Sequence, residues 1–192
     1  MSSTTTTTTT TTITTGTYAI DPAHSRIGFM ARHAMVTKVR GSFNEFHGSG
    51  FLDADDPANS RLQLTIQAAS IDTRNADRDG HLRSNDFFDM EQYPQIAFRS
   101  TSVEHTGDSE YQVTGDLTIK GVTKPVTVDF DYTGAAVDPF GNHRIGLEGT
   151  TTINRKDWGV TWNAPLETGG VLVSEKVTLE FEVSAVRKVD NA

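Results

Sequence analysis

The sequence predicts an all-β fold of antiparallel strands carrying one or two short helical insertions. Three observations lead there. Apolar and polar residues alternate with period two along most of the chain, clusters of Gly, Pro, Asn and Asp interrupt the alternation, and few stretches show helical periodicity. Alternation is the imprint of a sheet with one face on a core and the other in water.

Taken in order, the opening "MSSTTTTTTTTTITTG" holds little that burial could use to offset the entropy of ordering it, so residues 1–15 are expected to form a disordered Thr-rich tail. It shows neither a basic n-region nor an apolar h-region, and the expectation for localisation is therefore cytoplasmic. Alternation begins at Tyr18. "GSG" at 48–50 reads as a Gly-rich bend and "DADDPANS" at 53–60 as a turn. In "RLQLTIQA" Leu62, Leu64 and Ile66 share one face. "YQVTGDLTI" aligns Tyr111, Val113, Leu117 and Ile119, and "PVTVDFDY" aligns Val126, Val128, Phe130 and Tyr132. Turn signals separate them at 106–109, 120–121 and 138–142. The last strand, Leu172 to Ala185, puts Val173, Val177, Leu179, Phe181 and Val183 on one side. At about 3.4 Å per residue it would reach on the order of 45 Å, which suggests an elongated body. Eight or nine strands are expected in all. Period two by itself leaves a closed barrel and a two-sheet sandwich equally open.

A chain of 192 residues with 35% hydrophobic content suits a single domain, placed at 16–188. The formal charge of −8, with Lys and Arg scattered singly, offers no stripe to track a phosphate backbone, and no nucleic-acid partner is expected. There is no cysteine, so disulfides, thiol nucleophiles and thiolate metal sites are excluded. No apolar run exceeds three residues, far short of a membrane-spanning helix.

One segment breaks the strand pattern, "SIDTRNADRDGHLRSNDFFDMEQYP" at 70–94. It fits a short helix that Asp72, Thr73 or Asn75 would cap. Arg78 and Leu82 share one of its faces, and Asp77 and His81 another. Gly80 is a mild flaw, costing about 1 kcal/mol relative to Ala. Phe87 and Phe88 follow as anchors able to pin the helix over the end of a sheet or barrel as a lid. Asp77, Asp79, His81, Asp86 and Asp89 include metal-ligand types, but their spacing matches neither H-E-x-x-H nor an EF-hand loop. A His81 general base has no announced nucleophile, since G-x-S-x-G is absent. No metal, cofactor or catalytic residue is expected, and ion pairing that fixes the helix is the leading account of the segment. His24, His33, His47, His105 and His143 are read as structural, and Trp158 and Trp162 as packing residues.

Several stretches in order resemble the YceI-like family of polyisoprenoid-binding, lipocalin-like proteins. They are "DPAHSRIGFMARH" (21–33), "VRGSFNEFHGSG" (39–50) with its G-x-F-x-x-F-x-G pattern, "SIDTRNADRDGHLRSNDFFD" (70–89), "YPQIAFRS" (93–100), "VTGDLTIKGVTKPV" (113–126) and "INRKDWG" (153–159). Together they cover roughly Thr17 to Arg187. Two departures stand out: Gly80 sits where the family usually carries a side chain, and the threonine tail stands where many relatives have an export signal.

The resemblance implies an elongated, eight-stranded antiparallel lipocalin-like β-barrel that holds one long amphiphile, such as a polyisoprenoid or an isoprenoid quinone. Tunnel-lining candidates from the apolar faces are Phe29, Phe43, Leu64, Ile66, Phe98, Val113, Leu117, Phe130, Ile145 and Phe181. Candidates for the head group or the lid are Arg32, His33, Arg78, Asp79, His81 and Asp86. Arg74, Arg78 and Arg83 would serve a charged head if they point inward, but the net charge of −8 opposes steering of an anion, so a neutral or weakly polar head such as a quinone or amide is equally open. The implied role is a non-catalytic carrier or store. An enzyme acting on a lipid at the barrel mouth and a ligand-free stress-response module stand as rivals, and a homodimer is open.

Overall fold

The computed structural model describes residues 12–189. It is built from β1 (Gly16–Ile20), β2 (Arg26–His33), β3 (Thr37–Phe43), β4 (Phe46–Leu52), β5 (Arg61–Gln67), β6 (Ile71–Asp72), α1 (Ala76–Arg83), β7 (Gln95–His105), β8 (Glu110–Ile119), β9 (Val122–Val137), β10 (His143–Asn154) and β11 (Lys176–Arg187). All pairings are antiparallel. β1 runs on into β2 through a single turn at Pro22–His24, which Asp21 caps by accepting the Ala23 N–H, so the two make one bent stave. β3 and β4 make a second, because β3 pairs with β2 while β4 pairs with β1. Then follow β5, β7, β8, β9, β10 and β11 in spatial order, and β11 returns to β1 and β2. The result is a barrel of eight staves, closed by the pairing of β11 with β1. The short β6 adds to β3 outside that ring, pairing Asp72 with Ser42.

Local chemistry explains the connections. β8 and β9 meet at Lys120 and Gly121, with φ of 50° and 75°, the pair of left-handed residues that a tight hairpin turn needs. The β4–β5 connection is braced by Asp53, whose carboxylate accepts the N–H groups of Asp55 and Asp56. Alternation along the staves sends one apolar set inward. Ile27, Phe43, Ile66, Ile96, Leu117 and Trp158 belong to the principal core, which lies toward α1; a smaller cluster of Tyr18, Ile145 and Ala185 lies toward the other end.

Three expectations are corrected. The last strand begins at Lys176, not Leu172. Residues 172–175 instead run as an extended loop, with Val173 bridged to His33 and Ser174 donating its N–H to the Arg32 carbonyl. The "GSG" at 48–50 lies inside β4 and is not a bend. A Cβ on Gly48 would come within 2.6 Å of the Ile20 side chain, and one on Gly50 within 2.5 Å of Leu62, so these glycines serve close packing within a continuous stave. Of the expected tail, residues 1–11 lie outside the described residues, while Ile13, Thr14 and Thr15 are docked. Ile13 packs on the Tyr18 cluster, the Thr14 carbonyl accepts the Tyr18 hydroxyl at 2.7 Å, and the Thr15 hydroxyl accepts the Ala54 N–H. A single isoleucine among threonines supplies the apolar contact that tethers them.

Candidate functional site

The barrel encloses a cavity of about 280 Å³, narrow for its length, since its wall includes Leu82 and Phe88 beside α1 and also Ile13, Leu52 and Tyr111 at the far end. That volume is many times the roughly 30 Å³ share of one water molecule and sits near the lower bound of about 300 Å³ for small-molecule pockets. All ten residues named above as tunnel-lining candidates, Phe29, Phe43, Leu64, Ile66, Phe98, Val113, Leu117, Phe130, Ile145 and Phe181, lie on its wall. The rest of the wall is also overwhelmingly aliphatic and aromatic, so each methylene of a guest would gain about 0.8 kcal/mol before ordering costs.

The interior stays hollow because large side chains face glycines. Phe130 lies directly across from Gly149 in the β9–β10 register, and a Cβ on Gly149 would meet its ring at 2.6 Å. Phe29 faces Gly41 across β2 and β3 in the same way. The rings occupy the space that opposing side chains would fill, so aromatic bulk is taken up at the wall and the axis is left free.

α1 closes one end. Asn75 caps it by accepting the Arg78 N–H, one of the three caps named from the sequence. From its C-terminal end Arg83 donates to the carbonyls of Ala69 and Ile71, which ties the helix to the chain entering β6. Leu82, Phe87 and Phe88 turn toward the cavity. Phe88 meets Phe43 edge-on at 6.0 Å, and Phe87 packs on Trp162 at 5.4 Å. The two phenylalanines anchor the helix to the barrel mouth.

None of the six residues proposed for the head group or lid lines the cavity. Arg78 and Asp79 are both spent on Thr73. Arg78 donates to its hydroxyl and its carbonyl, both at 2.7 Å, while buried Asp79 accepts its N–H and hydroxyl. His81 pairs with Asp86 at 2.8 Å and stands edge-on to Phe87 and Trp162. These four hold the lid together. Arg32 is exposed on the β2–β3 hairpin and donates to the Val36 carbonyl, with exposed His33 beside it. Arg74 is exposed and Arg83 is engaged as described, so the three arginines considered for a charged head all point elsewhere. Short side chains at a helix start reach nearby backbone before they reach a lumen. Trp158 packs in the core and donates its indole N–H to the Leu117 carbonyl at 2.9 Å, as its structural reading requires.

The cation that does reach the cavity is Arg155, just past β10 and only 6% exposed. Its signal was present in the sequence: Ile145, Leu147 and Ile153 face the cavity, and Arg155 continues their parity through the quoted "INRKDWG". Burial pushes its guanidinium below the ordinary arginine value, partly offset by the nearby charge of Glu175. Among the described residues no three His, Asp or Glu side chains converge as a metal site would need.

Comparison with known proteins agrees with this architecture. The YceI-like domain model matches residues 18–185. A UPF0312 protein of Staphylococcus aureus is 41% identical over 169 residues, 88% of this chain and 95% of that one, and a UPF0312 protein of Ectopseudomonas mendocina is 41% identical over 146 residues, 75% of this chain and 76% of its own. Among solved structures, Burkholderia cenocepacia BcnA superposes with a TM-score of 0.75 at 27% identity, covering 86% of this chain and 98% of its own. The Campylobacter jejuni YceI protein gives 0.71 at 30%, covering 82% and 90%. A polyisoprenoid-binding domain from Saccharophagus degradans shares the fold, with a TM-score of 0.67 at 16% identity over 89% of this chain and 98% of its own. With the domain model matched from β1 to β11 and the same closed barrel in its solved relatives, this chain belongs to the YceI-like family.

Proposed function

We propose that this protein binds one long-chain amphiphile, polyisoprenoid or similar, inside the barrel and carries or stores it without chemical change. The observation that carries the reading is the continuous apolar cavity of about 280 Å³ running from α1 to the Ile13 end. A core meant only for stability would be filled, because an apolar void forfeits dispersion contacts and destabilises. A slender chain is the shape that fills this one, and the fold shared with a polyisoprenoid-binding domain supports the same class of guest. The charged side chains of the lid are occupied with each other and with backbone, which favours a binding role over turnover at the mouth. The test is extraction of the purified protein with organic solvent and mass spectrometry of what is released. A stoichiometric long-chain lipid is the expected result, and a protein that neither releases one nor takes up an added one would overturn the reading.

A further inference from the structure

Resting on that reading, we propose that Arg155 is the head-group site of the cavity and that the guest is an acidic amphiphile, its carboxylate or phosphate oxygen held at the α1 end and its tail directed toward Ile13. Arginine stays charged in proteins and carries five N–H donors. Three are accounted for, Nε to the Ser174 carbonyl at 2.8 Å, Nη1 to the Val160 carbonyl at 2.7 Å and Nη2 to the Val173 carbonyl at 3.3 Å. One N–H on each terminal nitrogen is left, in a side chain that is 94% buried by its 6% exposure and forms part of the cavity wall. Carbonyl dipoles satisfy hydrogen bonds but do not neutralise a formal charge, and Glu175 offsets the burial of this one only in part, so an anion at the remaining donors would be favoured.

No carboxylate lies within ion-pair distance of Arg155 among the described residues. Glu175, whose charge acts on Arg155, is engaged by Lys156 at 2.6 Å. Arg155 is also the one Lys or Arg among the described residues of the wall, and the one acidic wall residue, Asp53, stands at the opposite end with its carboxylate held by the β4–β5 loop. An anionic oxygen at the two remaining donors would complete the guanidinium in the forked geometry that carboxylates and phosphates share. The polarity of the wall thus sets the direction in which a guest lies.

The experiment compares one chain with three heads, geranylgeranoic acid, geranylgeranyl monophosphate and geranylgeraniol, by titration calorimetry on the full-length protein stripped of lipid. The expected result is at least tenfold tighter binding of one or both acids than of the alcohol, with the stronger acid telling carboxylate from phosphate. The preference should collapse in Arg155→Met and survive in part in Arg155→Lys. Because Arg155 also holds the 160–174 loop, a loss of affinity shared by acid and alcohol reports structure; the acid-to-alcohol ratio reports recognition. Carboxyl-¹³C-labelled geranylgeranoic acid supplies a check that needs no variant: bound beside Arg155, its carboxyl should titrate below the ordinary carboxylate range. Equal affinity for acid and alcohol in the wild type, a preference that persists in Arg155→Met, or a carboxyl that titrates above the ordinary range each overturns this assignment and leaves the carrier function standing. Failure to bind any of the three heads overturns both.

Discussion

Asp79 and Thr73 are joined twice: the buried Asp79 carboxylate accepts the Thr73 N–H at 2.9 Å and its hydroxyl at 2.5 Å. Thr73, itself 5% exposed, leads from β6 into α1, so this contact sets where the lid starts. Asp79→Ala leaves a buried N–H and hydroxyl short of an acceptor, which costs about 1–3 kcal/mol. Denaturant unfolding should show a loss in that range with the m-value unchanged. Retention of a full lipid load at low temperature would confirm that the residue supports the lid and does not grip the guest.

Gly80 offers the opposite change. It is exposed in the middle of α1, its φ is ordinary, and a Cβ there would meet nothing within 4 Å. Gly80→Ala should therefore raise stability by about 0.5–1 kcal/mol, by restricting the unfolded chain and favouring helix. A thermal melt would register this as an upward shift. A neutral or lower melting point would mean that α1 needs freedom at this point.

At the far end Arg144 bridges two carboxylates, Asp21 and Asp138, each at 2.7 Å. Arg144 is the first cause holding Asp21 down to about 2, with His24 adding to it, and Arg144 likewise holds Asp138 well below the carboxylate range. Folded values below unfolded ones mean that the stabilisation is complete above about pH 4, the ordinary Asp value, and is lost as pH falls toward the folded value. The stability difference between wild type and Arg144→Met should hence be constant near neutrality and shrink between about pH 4 and 2. Chemical denaturation across that interval measures it, and parallel curves would contradict the linkage.

Filling the lumen separates binding from folding. Val113 is 3% exposed, sits midway along β8 and lines the cavity. Val113→Trp should occupy guest volume, with a cost of overpacking that is typically about 1–3 kcal/mol. The expected outcome is a folded protein, judged by circular dichroism, that yields little or no lipid on extraction. A normal lipid yield would show that the guest does not pass Val113.

Much of the barrel wall was readable from alternation, because inward and outward residues on a strand differ in solvent contact and the pattern records it directly. The tunnel candidates fall on the wall for that reason; Arg155 was not among them, although it shares the parity of Ile153. Asn75 as cap and Phe87 and Phe88 as anchors were equally local signals. Closure into a barrel came from the family likeness and not from periodicity, which does not record what the two outermost strands pair with.

What only the tertiary structure decided concerns partners distant in sequence or meeting at element ends. The hollow axis depends on register, which sets Phe130 against Gly149 and Phe29 against Gly41. The lid charges were legible as a cluster, but their attachment to Thr73 required the turn between β6 and α1 to bring that residue back under the helix. Ile13 reads as part of a polar tail until Tyr18 and Leu52 are assembled beside it. By itself the sequence determined which faces are apolar, where strands turn and where one helix begins. The tertiary structure decided what each face encloses and which partners hold each buried charge, because those depend on three-dimensional meetings that no local pattern encodes.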